Sequence, residues 1–439
     1  MNSVLQCLRV IPSFRKGILT YSSSTNGNQQ NPAHGPFLMA LRDTLNILDR
    51  TADAVSATAL VRATRMAFPQ FAQRGPQGQP MQQDAEEFYS GLMSIAANEL
   101  RGKDKIEKVI EGISEEELKG ADNLIDALFG LKMEETLTCD EFDTDNKMEV
   151  DGEAAAASAG AVEPPVKSFD IHRKLVCNIQ GGSDGTAQTN VGHISEGIGL
   201  SLNGKLEKRS EVLGRDAVWS RKQRIARLPP IICVQFGRFY WKATPDSQDH
   251  AGVKCKVMKP VAFNGILDIY EFCTEEVQKI LKVSRDKALA EEEERINNRL
   301  KGGGKEDEEM KDSDEGKGEA KENNDGDDPE LKAAFAMSME ESVPPVGPGL
   351  PPNFQGQYEL FGVVTHKGRD ADGGHYMGWV KAESNSGEVQ KIADTEENNE
   401  DWFVFDDDEV SPCKTEDVLK LKGGGDWHMS YLSFYRAKK

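Results

Sequence analysis

The chain has 439 residues, 38% hydrophobic and 29% charged, with a formal net charge of −21 and a pI of about 4.9. That length allows one large domain or two to three ordinary ones. The acidic balance argues against nucleic acid or an anionic membrane as the main partner, since both need a basic face; it suits a partner with a basic surface.

Residues 1 to about 130 read mainly as helix. Ser3 to Val10 is apolar at helical spacing and Pro12 stops it. Gly35 to Ile47 and Asp84 to Leu100 are further amphipathic stretches. Residues 141–167 are acidic, then alanine-rich, and close on Glu163-Pro164-Pro165, which predicts a mobile loop. From about 168 to 275 the pattern shifts to strands. Phe169 to His172 and Leu175 to Ile179 alternate, and Leu228 to Phe236 is a near-continuous apolar run that predicts a buried central strand. Asp286 to Leu300 is charged and helical in pattern, and Gly302 to Asp328 is low-complexity Lys, Glu, Asp and Gly, which predicts disorder. A Pro/Gly segment from Val343 to Pro352 leads back to strands at Tyr358 to Thr365, His375 to Val380, Phe403 to Asp406 and Met429 to Tyr435. The predicted architecture is α+β: one discontinuous domain, residues 1–282 and 353–439, interrupted by a charged, largely disordered insertion at 283–352.

Seven cysteines, at 7, 139, 177, 233, 255, 273 and 413, include no C-x-x-C pair. A zinc ribbon or a disulfide framework is therefore not expected, and the usage fits a reducing compartment, cytosol or nucleus. The first residues show no basic-then-apolar leader. No run approaches the roughly 18 apolar residues of a membrane span. No metal or other cofactor is expected.

The chemically suggestive residues lie near the C-terminus. Asp372-Gly373-Gly374-His375-Tyr376 sets a histidine behind paired glycines, which let a substrate backbone approach closely. Trp402 to Asp408 ends in an acidic run at Asp406. Antiparallel pairing of the two strands, joined by a polar loop from Glu383 to Asn399, would place an acid beside the base of a thiol protease. A structural histidine beside a Gly-Gly turn is the alternative.

Several segments, taken with these, resemble the ubiquitin-specific protease family. Met1 to Leu8 resembles the tail of its cysteine box, G-N-T-C-Y-M-N-S-x-L-Q-x-L. Gln82-Gln83-Asp84-Ala85-Glu86-Glu87-Phe88 resembles its Q-Q-D-A-x-E-F helix. Arg227-Leu228-Pro229-Pro230 through Arg238-Phe239 resembles its L-P-x-x-L-x-x-x-x-x-R-F strand. Gly374-His375-Tyr376, Trp402 to Val410 and Ser430 to Tyr435 resemble the histidine box, the W-x-x-F-D-D-x-x-V box and the closing strand. The boxes occur in the family's order and cover nearly the whole chain outside the insertion. Gly423-Gly424-Gly425-Asp426-Trp427-His428 is similar to the proteasome-associated branch, which usually carries an N-terminal ubiquitin-like domain.

The resemblance implies a papain-like fold with thumb, palm and fingers, and hydrolysis of the bond after ubiquitin's C-terminal Gly-Gly. His375 would be the general base, Asp406 the residue orienting it, and Asp407 a support for the oxyanion or its water. Gln83, Asp84 and Glu87 would hold ubiquitin's arginine-rich tail beside Gly373 and Gly374. Polyubiquitin conjugates and the proteasome are the implied partners, with no nucleic acid and no membrane. In the family pattern the nucleophilic cysteine precedes the position of Met1 by two residues, so an N-terminally truncated domain without hydrolytic activity is expected. Cys7 would lie about 12 Å from that position along a helix at about 1.5 Å per residue, and packing is its expected role. Within the insertion, Asp327 to Glu341 resembles a ubiquitin-interacting motif. Leu331, Ala334, Ser338 and Glu341 have its spacing on one helix, about 327–342, with Ala334 allowing close approach. Two readings stay open: a deubiquitinase whose start lies upstream of Met1, and a non-catalytic ubiquitin-binding protein. A different papain-like hydrolase or acyltransferase would leave the Gln82 to Phe88 box unexplained.

Overall fold

The apolar run that ends at Phe236 becomes a strand buried on both faces. The computed structural model describes residues 1–22, 31–51, 53–75, 77–79, 81–141, 163–180, 190–242, 253–302, 345–369, 373–382, 401–425 and 427–439. Along Ile231–Phe236 (β6), Ile231 and Cys233 enter one core while Ile232, Val234 and Phe236 enter another. Alternation with period two explains why the run has no polar face.

The first core is filled by helices Asn2–Arg9 (α1), Pro12–Leu19 (α2), His34–Leu48 (α3), Thr58–Ala67 (α4), Ala85–Glu99 (α5), Lys103–Val109 (α6) and Leu124–Phe129 (α7). Pro12 does not simply stop α1. It opens α2, where a missing N–H costs nothing and a fixed φ favours the helix. Next come Leu131–Cys139 (β1), Val166–His172 (β2), Leu175–Cys177 (β3), the helix Ile194–Leu202 (α8), Asn203–Arg209 (β4) and Asp216–Arg227 (β5). Strands β2-β1-β5-β4 form a separate four-stranded sheet, with a small core of Leu137, Cys139, Ala217 and Trp219.

After β6 the chain forms a two-stranded pair, Phe239–Lys242 (β7) with Val253–Lys256 (β8), then Ile266–Asp268 (β9) and the helix Glu275–Gly302 (α9). The rest comprises Gln357–Lys367 (β10), His375–Lys381 (β11), Trp402–Asp406 (β12), Glu409–Cys413 (β13), Thr415–Leu419 (α10) and Met429–Ala437 (β14). The main sheet has eight strands, ordered β13-β12-β11-β10-β14-β6-β3 with β9 also on β10. Its second face packs on α8, the start of α9 and α10 through Ile194, Ile198, Val277, Leu281 and Val418.

Helix α9 runs through residue 283 without a break, and Val346 is already buried, its carbonyl accepting from the Leu228 N–H at 3.0 Å. The insertion therefore leaves from a helix and returns to the core shortly before residue 353. The expected helix at 327–342 and most of the expected loops at 141–167 and 383–399 lie outside the described residues. Among the described residues no helix is long and apolar enough to cross a membrane.

Candidate active site

Strand register brings the histidine and the acid together. β11 and β12 pair antiparallel, with Gly378 opposite Phe405 and Val380 opposite Phe403. Continued one step, that register sets Asp406 against Met377, diagonal to His375 and on the same face. His375 Nε2 lies 2.5 Å from Asp406 Oδ1. A proton on Nε2, held by the carboxylate, leaves Nδ1 as the basic nitrogen. The side chains are 38% and 44% exposed, so the pair faces an accessible cleft.

Asp407 occupies the turn between β12 and β13 with φ 50°, and Asn2 Nδ2 donates to its carbonyl at 3.0 Å. One ligand-type atom from each of His375, Asp406 and Asp407 lies within 4.8 Å of the others. A metal there would have to displace the His375–Asp406 contact, so the trio is better suited to acid–base work than to ligation. Helix α1 reaches the site because Gly378 has no side chain: a Cβ there would stand 3.0 Å from the Ser3 carbonyl oxygen.

The segment before α5 supplies the opposite wall. Asp84 caps the helix, its Oδ1 accepting from the Glu86 and Glu87 N–H groups at 2.8 and 3.3 Å. The Tyr431 hydroxyl donates to the same carboxylate, 2.8 and 3.0 Å from its two oxygens. Asp84 thus ties the helical half to β14. Gln83 is half-buried, with its Nε2 on the Met81 carbonyl at 3.3 Å, and Glu87 is exposed. Gln82, which the sequence reading did not single out, bridges the cleft: its Nε2 donates to the Gly374 carbonyl at 2.7 Å. Gly373 is half-buried and Gly374 exposed, the latter with φ 133°. Leu331, Ala334 and Ser338 lie outside the described residues.

No sulfur joins the group around His375. All seven cysteines are described and none is disulfide-bonded. Cys7 is fully buried with Sγ 3.9 Å from the Trp379 carbonyl oxygen. Trp379 lies four residues along β11 from His375, about 13 Å at roughly 3.3 Å per residue. Burial pushes the Cys7 and Cys233 thiols far up, and those of Cys177 and Cys273 to about 12. Such thiols are poor sources of thiolate. Cys413 sits opposite Trp402, at the other end of the β12–β13 hairpin from Asp406.

A strand-borne imidazole held by a carboxylate behind a glycine turn is an arrangement that cysteine-type hydrolases use for a base and its orienting acid. The family model for ubiquitin carboxyl-terminal hydrolase matches residues 1–435. The chain belongs to that family, and its helices and sheets are those of the papain-like ubiquitin-specific protease fold. It is 31% identical over 444 residues to ubiquitin carboxyl-terminal hydrolase 6 of Arabidopsis thaliana, covering all of this chain and 76% of the relative. It is 30% identical over 445 residues to ubiquitin carboxyl-terminal hydrolase 6 of Schizosaccharomyces pombe, with all of this chain and 76% of the relative covered. A more distant relative, ubiquitin carboxyl-terminal hydrolase 14 of Caenorhabditis elegans, is 27% identical over 280 residues, 62% of this chain and 45% of the relative.

Proposed function

We propose that the cleft between Gln82–Glu87 and Gly373–His375 receives the C-terminal Gly-Gly tail of ubiquitin, the recognition half of thiol-dependent hydrolysis of the (iso)peptide bond after it. The observation that carries this reading is the His375–Asp406 pair, standing beside a glycine turn whose Gly374 carbonyl accepts from Gln82. In this reading His375 is the base, Asp406 orients it, and Asp407, with a carboxylate oxygen within 4.8 Å of both, supports the oxyanion or its water. Both oxygens of Asp84 are engaged by the helix and Tyr431, so Glu87 and Gln83 are the groups left to meet a basic tail.

The 439-residue polypeptide binds ubiquitin without turning it over. Five of its cysteines are buried and none joins the His375 group, and loss of a nucleophile removes most of a triad's rate. A role in proteasomal turnover is supported by the Gly423 to His428 segment alone. A second ubiquitin contact through Leu331, Ala334 and Ser338 is supported by motif spacing. Seven cysteines, none of them disulfide-bonded, favour the cytosol or nucleus.

The purified polypeptide is to be mixed with ubiquitin carrying a C-terminal fluorogenic amide. The expected result is binding without release of the fluorophore. Release that disappears in His375→Ala overturns the lack of turnover. Absence of binding overturns the ubiquitin reading.

A further inference from the structure

His366 and Lys256 form a pair that the base-and-acid chemistry does not use, directly beneath the turn that delivers His375. His366 is 1% exposed on β10, with the rings of Phe239 and Tyr376 centred 5.2 and 4.7 Å away. Lys256 ends β8, and its Nζ lies 2.6 Å from His366 Nδ1, 3.2 Å from the His366 carbonyl oxygen and 2.7 Å from the Gly368 carbonyl oxygen. Three acceptors use all three ammonium protons. An ammonium has no lone pair, so Nδ1 must accept and the ring proton stands on Nε2. The Gly373 backbone beside the ring favours its protonated form, a smaller effect than burial. The ring's Nε2 and Cε1 would lie only 2.6 Å from a Cβ on Gly374. Gln82 holds the Gly374 carbonyl, so the glycine pair meets the approach to α5 on one side and the His366 ring on the other.

We infer that Lys256 and His366 are positioning residues: the Lys256 ammonium selects the His366 tautomer whose Nε2–H fixes the Gly373 carbonyl, and so shapes the turn that a ubiquitin tail lies on. The ligand in this statement rests on the reading under "Proposed function"; the tautomer and the fixed turn do not. The ring is neutral at working pH, because burial and then the Lys256 charge hold His366 down to about 3. Burial, then Arg238, lower Lys256 to about 8, which still leaves it mainly protonated at neutral pH.

Long-range proton–nitrogen spectra of the histidine rings in the full chain test this, with His366→Gln assigning the signal. The wild type is expected to show a neutral His366 ring protonated on Nε2. In Lys256→Met the two tautomers mix, and labelled ubiquitin binds about tenfold more weakly at an unchanged melting temperature. Lys256→Arg, which keeps a cationic donor, restores part of both. A wild-type proton on Nδ1 overturns the inference, and that measurement needs no variant to fold. Wild-type tautomer or wild-type affinity in folded Lys256→Met also overturns it. If the wild type does not bind ubiquitin, the functional reading fails while the spectra still decide the pairing.

Discussion

Asp84 shows how one side chain joins two halves of a site. Its carboxylate satisfies two helix N–H groups and the hydroxyl of Tyr431, which is 3% exposed. Asp84→Ala should lose the cap, about 1 kcal/mol, and strand a buried hydroxyl, about 1–3 kcal/mol. A total loss near 2–4 kcal/mol is expected in urea denaturation. A second residue-scale consequence concerns pH. Burial holds His428 down to about 4 and His366 to about 3. Both values lie below the unfolded histidine value of about 6.5, so the unfolded chain binds more protons as pH falls. Their contribution to stability is complete above about 6.5 and is lost progressively as pH falls through about 4 and about 3. Denaturation midpoints across that range should fall, with a shallower slope in His428→Gln. At this scale the sequence revealed His375 and Asp406 because a short motif and a two-residue period carry them. Gln82 and Lys256 stayed hidden as contacts, because their partners lie 292 and 110 positions away. No local pattern encodes which carbonyl a lysine will find.

At the scale of elements, apolar patterning was the most informative signal. The run at 228–236 read as a buried strand, and its part at 231–236 is one, because each face of β6 meets its own core. The helices around Gly35 to Ile47 and Asp84 to Leu100 formed within a residue or two of their expected limits. Short strands were less legible. β8 and β13 are exposed or half-exposed over four and five residues and β7 spans only four, so they lack an alternation long enough to read. The first helix does end before Pro12, and the same ring then suits the first turn of the next helix. The burial pattern predicts where backbone amides are protected. Hydrogen exchange should be slowest in β6, β10 and β14, approaching the global limit, and fast beyond about residue 286 of α9, where side chains from 291 to 298 are exposed. Equal protection along the whole of α9 would contradict this.

At the scale of the whole molecule, the two cores meet across one sheet, and the site lies at the sheet's edge with α1 and the approach to α5 around it. In a chain of net charge −21, Glu87 on α5 is exposed, and the proposed function gives it a basic tail to meet. The family, the fold and the His375–Asp406 contact follow from residues legible in order along the chain. The contacts of Gln82 and of the His366 ring with the glycine turn are not legible there, because Gln82 meets Gly374 across 292 positions and the ring's approach depends on strand packing. The most direct measurement of the central claim is a titration of the purified chain with ubiquitin and with ubiquitin lacking its C-terminal tail, following the His375 ring by NMR. Tail-bearing ubiquitin should bind at least tenfold more tightly, by about 1.4 kcal/mol or more, and shift the His375 signals. Equal affinity for the two forms, with His375 unmoved, would contradict the account.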